Sequence, residues 1–209
     1  MDIQLKLGQD QWQNYIRRNY DDGFSKYRLQ IHDRDQYTCQ LCGFQSTVYM
    51  DVMNRDGNYS HNHRDNLVTA CPFCVQCHFM EMVGKVGYGG GILIYLPELT
   101  QIELNGLCHA LFCAMANTTE YADESEGIYN SLRLRAKVIE KQYGEGLSQP
   151  GMLGQMLVDT PMDHRDQVSE AMLNDLRLLP LLNKFEKEVN TWAKVSFDQF
   201  IDLNNIKGM

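Results

Sequence analysis

Tyr37-Thr38-Cys39-Gln40-Leu41-Cys42-Gly43 and Ala70-Cys71-Pro72-Phe73-Cys74 are the two passages around which the rest of this chain can be arranged. Each carries two cysteines separated by two residues, and 28 residues lie between the pairs. A tight turn of that length lets two thiolates grip one ion. Two such turns complete the tetrahedron that Zn²⁺ takes in a closed structural site. The spacing therefore predicts one structural zinc. A competing pairing exists, because Cys74-x-x-Cys77-His78 repeats the interval and leaves Cys77 as a fallback ligand. Zinc knuckles serve nucleases, nucleic-acid binders and protein adaptors alike, so the motif speaks to chemistry before function.

The 209 residues suffice for one substantial domain or two small ones. Apolar residues make up 44% and charged residues 22%, the balance of an ordinary globular protein. The longest apolar run, Ile92 to Pro97, is far too short to span a membrane. The beginning Met1-Asp2-Ile3-Gln4-Leu5-Lys6 lacks the design of a signal peptide, so a cytosolic location is expected. In that reducing compartment the seven cysteines should be thiols or metal ligands. Cys108 and Cys113, within an apolar stretch, read as small buried hydrophobes. The net charge of −8 is uneven: residues 1–91 carry 9 basic against 10 acidic residues, and residues 92–209 carry 10 against 17. Neither part has the basic surplus of a phosphate-backbone binder, and the acidic second half suits a protein partner better.

Periodicity predicts helices over residues 8–36, with Tyr20, Phe24, Tyr27 and Ile31 at helical spacing. A strand is expected within Phe44–Met53, a turn at Asn54–Tyr59 around Asp56-Gly57, and a short extended piece at Leu67–Thr69. A helix is expected from Pro72 to about Val83. The five glycines of Gly84–Gly91 lack any phosphate-loop spacing and read as a connection between two halves. Further helices are expected from Pro97, with Leu99, Ile102, Leu104, Leu107, Leu111 and Met115 on its apolar face, and from Ser125 to Tyr143. Others are expected near 151–158, near 164–178, and from about Pro180 to Leu203, with Leu182, Phe185, Val189, Trp192, Val195 and Phe200 in or near one stripe. The reading is α+β and mostly helical, with a zinc module over 1–91 and a helical region over 92–209 packed as one unit.

The first 80 residues resemble the HNH endonuclease module. The resemblance rests on a basic helix, Arg34-Asp35-Gln36-Tyr37-Thr38-Cys39-Gln40-Leu41-Cys42-Gly43, a hairpin, and Asp65-Asn66-Leu67-Val68-Thr69-Ala70-Cys71-Pro72-Phe73-Cys74. It implies a ββα-metal fold stapled by a four-cysteine zinc, with Cys39, Cys42, Cys71 and Cys74 as ligands. It also implies a catalytic metal site built from histidines, and there the match fails. Met53 and Asn54 follow Asp51-Val52 where histidines are expected, and Val75 and Phe79 stand in the later histidine places. Only Asn66 matches that set. Methionine is no general base, and valine and phenylalanine bind no hard cation. His61 and His63, His78, Asp51, Asp56 and Asp65 remain as substitutes, and a rearranged metal-dependent nuclease using Asp51, Asn66 and His78 is the alternative reading.

A narrower resemblance runs along almost the whole chain. Gly87-Tyr88-Gly89-Gly90-Gly91-Ile92-Leu93-Ile94-Tyr95-Leu96-Pro97-Glu98-Leu99-Thr100-Gln101 and Leu107-Cys108-His109-Ala110-Leu111-Phe112-Cys113 are similar to the IcmJ/DotN family. So are Gln142-Tyr143-Gly144-Glu145-Gly146 and Leu176-Arg177-Leu178-Leu179-Pro180. The resemblance implies a subunit of the type IV coupling complex of the Dot/Icm type IVB secretion system, with no catalytic residues. It implies binding to the C-terminal segment of the coupling ATPase DotL, with IcmS, IcmW, LvgA and DotM reached indirectly, in support of effector translocation. It further implies a cytoplasmic protein recruited peripherally to the inner membrane, without membrane insertion or a nucleic-acid partner.

Overall fold

The computed structural model describes residues 3–9 and 11–194. Among these residues the chain is mostly helical, with two small sheets. Helix α1 (Gln11–Asn19) stops at Tyr20, and Asp21 caps α2 (Asp22–Arg34) by accepting the Phe24 amide at 2.6 Å. Phe24 and Ile31 turn inward from α2 onto Val52 and Leu67, forming a small cluster of their own with Tyr27 at its margin. Tyr20 does not join that face; it is 85% exposed.

Strands β1 (Asp51–Asn54) and β2 (Leu67–Ala70) pair antiparallel, Asp51 opposite Ala70 and Asn54 opposite Leu67, and lead into the one-turn helix α3 (Pro72–Val75). The strand expected within Phe44–Met53 is thus confined to its end. Residues before Asp51 are spent elsewhere: the Ser46 hydroxyl accepts the Val48 amide, the Val48 carbonyl accepts Trp192 Nε1–H at 3.1 Å, and Tyr49 is left-handed at φ +57°. The helix expected to run to Val83 also ends early, breaking into single turns at Gln76–His78 and Met80–Met82. The N-terminal segment causes the break. Lys6 donates to the Cys77 carbonyl at 2.9 Å and accepts from the Met80 amide at 3.1 Å, taking groups that a continuing helix would keep for itself.

The glycine run leads into β3 (Gly91–Tyr95), which pairs antiparallel with β4 (Leu176–Pro180). A Cβ on Gly91 would lie 2.5 Å from Leu178, so glycine is what lets the strands close. Between these strands come α4 (Gln101–Ala116), α5 (Ala122–Leu134), α6 (Ala136–Tyr143), α7 (Pro150–Val158) and α8 (Met162–Leu173). Helix α4 starts after Pro97, at a capping box in which Thr100 and Glu103 satisfy each other's backbone amides. The single helix expected over 125–143 is two, parted at Arg135, whose side chain pairs with Glu98. The helix expected near 164–178 gives way to β4 after Leu173. The last expected helix is a short turn at Leu182–Lys184 followed by a helical stretch over 186–194; Val195, Phe200 and Leu203 lie outside the described residues.

The main core takes side chains from both ends of the chain. Trp12, Tyr15, Phe73, Cys74 and Phe79 belong to it, as do Leu93, Phe112, Leu153, Leu178, Phe185 and Trp192. Burial of that apolar surface is the principal stabilising term. No described helix is long and apolar enough to cross a membrane.

Candidate metal centre

The first cysteine turn is built by its own backbone. Cys39 donates to the Phe44 carbonyl at 2.8 Å, Gly43 donates back to the Cys39 carbonyl at 3.0 Å, and Gly43 adopts φ +77°, which an L side chain resists. Gln40 donates to Thr69 of β2 at 2.9 Å, and this bond ties the turn to the second pair. There Cys71 sits at the cap position of α3 with Pro72 in the first helical place, and the Cys74 and Val75 amides both donate to the Cys71 carbonyl at 3.0 Å.

These two turns bring Cys39, Cys42, Cys71 and Cys74 together, their sulfurs all within 4.8 Å of one another. Cys42 and Cys71 sulfurs approach to 3.6 Å. A tetrahedron with metal–sulfur bonds of ~2.3 Å sets its sulfurs ~3.8 Å apart, so the group is at binding scale. Cys39, Cys71 and Cys74 are buried and Cys42 is partly exposed. Hydrogen bonds from the Cys42 and Cys71 thiols push the Cys39 thiol far down, burial pushes Cys71 up, and contact with Cys39 and Cys42 pushes Cys74 up. Buried thiols in mutual contact cannot all ionise unless a cation replaces their protons. Four soft donors at these separations fit a tetrahedral thiophilic ion such as Zn²⁺.

Among the described residues this is the single group of three or more His, Cys, Asp or Glu donors close enough to share an ion. Cys77, the fallback ligand, lies outside it. Its sulfur donates to the Phe73 carbonyl at 3.3 Å, and burial pushes the thiol up to about 12. Cys108 is fully buried and Cys113 only half-buried.

The residues considered for a rearranged nuclease are dispersed into other tasks. Asp51 accepts from the Tyr15 hydroxyl. Asn66 bridges a turn, donating to Asp56 at 3.0 Å and to the His61 carbonyl at 2.8 Å while accepting the Asp56 amide. His61 pairs with Asp56 at the surface, and His63 and Asp65 are exposed. His78 is buried against the Tyr59 hydroxyl at 3.3 Å, and burial holds its imidazole down at about 4. Asn54 accepts from Arg18 and donates to the Asn58 and His61 carbonyls. Met53, Val75 and Phe79 are core.

Two site residues went unread in the sequence. Asn105 Nδ2 donates to the Cys74 sulfur at 3.2 Å, and His109 Nε2 lies 3.2 Å from the Cys71 sulfur. The His109 ring is stacked between Phe44 at 3.7 Å and Phe73 at 4.2 Å, and burial pushes its pKa down to about 3. The available signal was spacing. Gln101, Asn105 and His109 recur every four residues in a helix that is apolar beyond its first turn at most other positions, and mark a buried polar stripe.

The chain is 45% identical over 201 residues to the Type 4 apparatus protein DotN of Legionella pneumophila (strain Philadelphia 1), a match covering 96% of this chain and 94% of that protein. It belongs to the DotN family. No family model matches the chain. DotN is by its name a protein of a type 4 apparatus. The extent of the match matters as much as its level, because it takes in both cysteine turns and the helices of the second half.

Proposed function

We propose that this protein is a non-enzymatic subunit of the Dot/Icm coupling complex, holding the C-terminal segment of the coupling ATPase DotL and supporting effector translocation. The observation that carries the reading is the 45% identity to DotN across nearly the whole chain. Cys39, Cys42, Cys71 and Cys74 would hold one Zn²⁺, which supplies a fixed tetrahedral crosslink and no open coordination position. Residues 1–91 and 92–209 would then work as one scaffold; Phe73, next to two of the cysteines, packs on Phe112, Phe185 and Trp192 of the second part. The acidic balance of residues 92–209 suits a protein partner with basic side chains. The protein would be cytoplasmic and recruited to the inner membrane through DotL, with IcmS, IcmW, LvgA and DotM reached through the same partner.

Capture of overlapping DotL C-terminal fragments by the folded full chain, run beside a plasmid-nicking assay with Mg²⁺, Mn²⁺, Ni²⁺ and Zn²⁺, tests this. One fragment should be retained and no nicking seen. Failure of a folded preparation to retain any fragment would sink the partner assignment, and nicking abolished by an Asp51→Ala, Asn66→Ala or His78→Gln substitution would restore the nuclease reading.

A further inference from the structure

Helix α4 presents three buried polar side chains on one stripe: Gln101 is 2% exposed, Asn105 0% and His109 5%. Burying such groups costs free energy unless each is used. Gln101 grips β4 on both sides, its Oε1 accepting the Leu178 amide at 2.8 Å and its Nε2 donating to the Leu178 carbonyl at 2.9 Å. The same Nε2 reaches Asn105 Oδ1 at 2.9 Å, orienting the Asn105 amide so that Nδ2 points to Cys74. One turn further along, His109 is clamped between two parallel rings with Nε2 against Cys71. His109 Nδ1 has no hydrogen-bond partner among the described residues, so the ring's one established polar contact is the sulfur.

We propose that Asn105 and His109 are positioning residues of the metal centre, donating N–H hydrogen bonds to the Cys74 and Cys71 thiolates and so setting how tightly the ion is held. The inference rests on the zinc reading above. Four thiolates around a divalent ion leave a net charge of −2 in a largely buried place, and N–H donors aimed at the sulfurs offset part of it. Asn105 is fixed to β4 through Gln101, and both donors sit on α4, an element separate from the two cysteine turns. Partners of this kind contribute roughly 10–100-fold to metal affinity. A metal-bound thiolate can only accept, so His109 must carry its proton on Nε2.

The test uses the full chain loaded with Co²⁺, comparing the native protein with Asn105→Ala, and with His109→Phe, which keeps a stacked ring but lacks the donor. The readouts are metal stoichiometry, retention against a chelator, and the thiolate-to-cobalt charge-transfer band. The native protein should take up one ion per chain. Each variant should lose the ion roughly 10–100-fold more readily, with the band moved to lower energy as the sulfurs become more electron-rich. Gln101→Met, which touches no sulfur, should move the band less than Asn105→Ala. Nitrogen-15 spectra of the native zinc protein should show His109 as the Nε2–H tautomer, a reading that needs no variant to fold. Unmoved bands and native retention in both variants, or an Nδ1–H tautomer, would overturn the inference while leaving the zinc intact. No cobalt uptake by the native protein would overturn the zinc reading as well.

Discussion

His78 shows how one buried side chain ties the stability of this molecule to pH. Burial against Tyr59 holds its folded value at about 4, whereas an exposed histidine titrates near ~6.5. Between those values the unfolded chain binds a proton that the folded chain refuses. The contribution of His78 is therefore fully present above pH ~6.5 and is lost as pH falls toward about 4, by ~3 kcal/mol in all. Acid also strips ions from thiolates, so the comparison must be between variants. Urea unfolding of His78→Gln should show a shallower loss between pH 6.5 and 4 than the native protein, and equal slopes would contradict this account. The residue scale was read unevenly from sequence. Cys39, Cys42, Cys71 and Cys74 could be singled out because two-residue spacing has few uses besides metal binding. Asn105 and His109 could not be, because a polar residue inside an apolar helix acquires meaning only when its partner, remote in sequence, is placed beside it.

Among the elements, α7 was legible to within a residue, since Pro150 opens it and its apolar positions are local. Strand β4 was not. Leu176-Arg177-Leu178-Leu179-Pro180 has a helix-compatible composition, and what makes it a strand is pairing with Gly91–Tyr95 some 80 residues earlier. The early end of α3 has the same cause, because Lys6 supplies the competing hydrogen bonds from the far end of the module. Two glycines test how closely the elements pack. A Cβ on Gly154 of α7 would lie 2.6 Å from Glu81 Cα and 2.8 Å from Glu81 N, backbone atoms with little room to retreat. On Gly127 of α5 it would meet nothing within 4 Å. Gly154→Ala should therefore cost ~1–3 kcal/mol in chemical denaturation, whereas Gly127→Ala should gain ~0.5–1 kcal/mol from helix propensity. Similar effects from both would show that α7 does not pack on the Met80–Met82 turn as described.

At the scale of the whole molecule, the two cysteine turns stand at the junction of the parts. Phe73 follows Cys71 by two residues and touches Phe112, Phe185 and Trp192; His109 bridges Phe73 and Phe44. Losing the ion should thus loosen more than the knuckles, reaching the helical stretch over 186–194 through Trp192. Composition pointed to a globular protein and charge away from a phosphate-backbone binder, but this junction was invisible until the contacts were laid out. We propose that an ion held by Cys39, Cys42, Cys71 and Cys74 staples a docking scaffold. Metal content and melting of Cys71→Ser against Cys77→Ser test it most directly. Cys71→Ser should lose the ion and its cooperative melting, since coupled metal binding and folding is worth on the order of 10 kcal/mol. Cys77→Ser should keep one zinc per chain and melt within a few degrees of the native protein. Stoichiometric zinc and an unchanged melting point in Cys71→Ser would contradict the account.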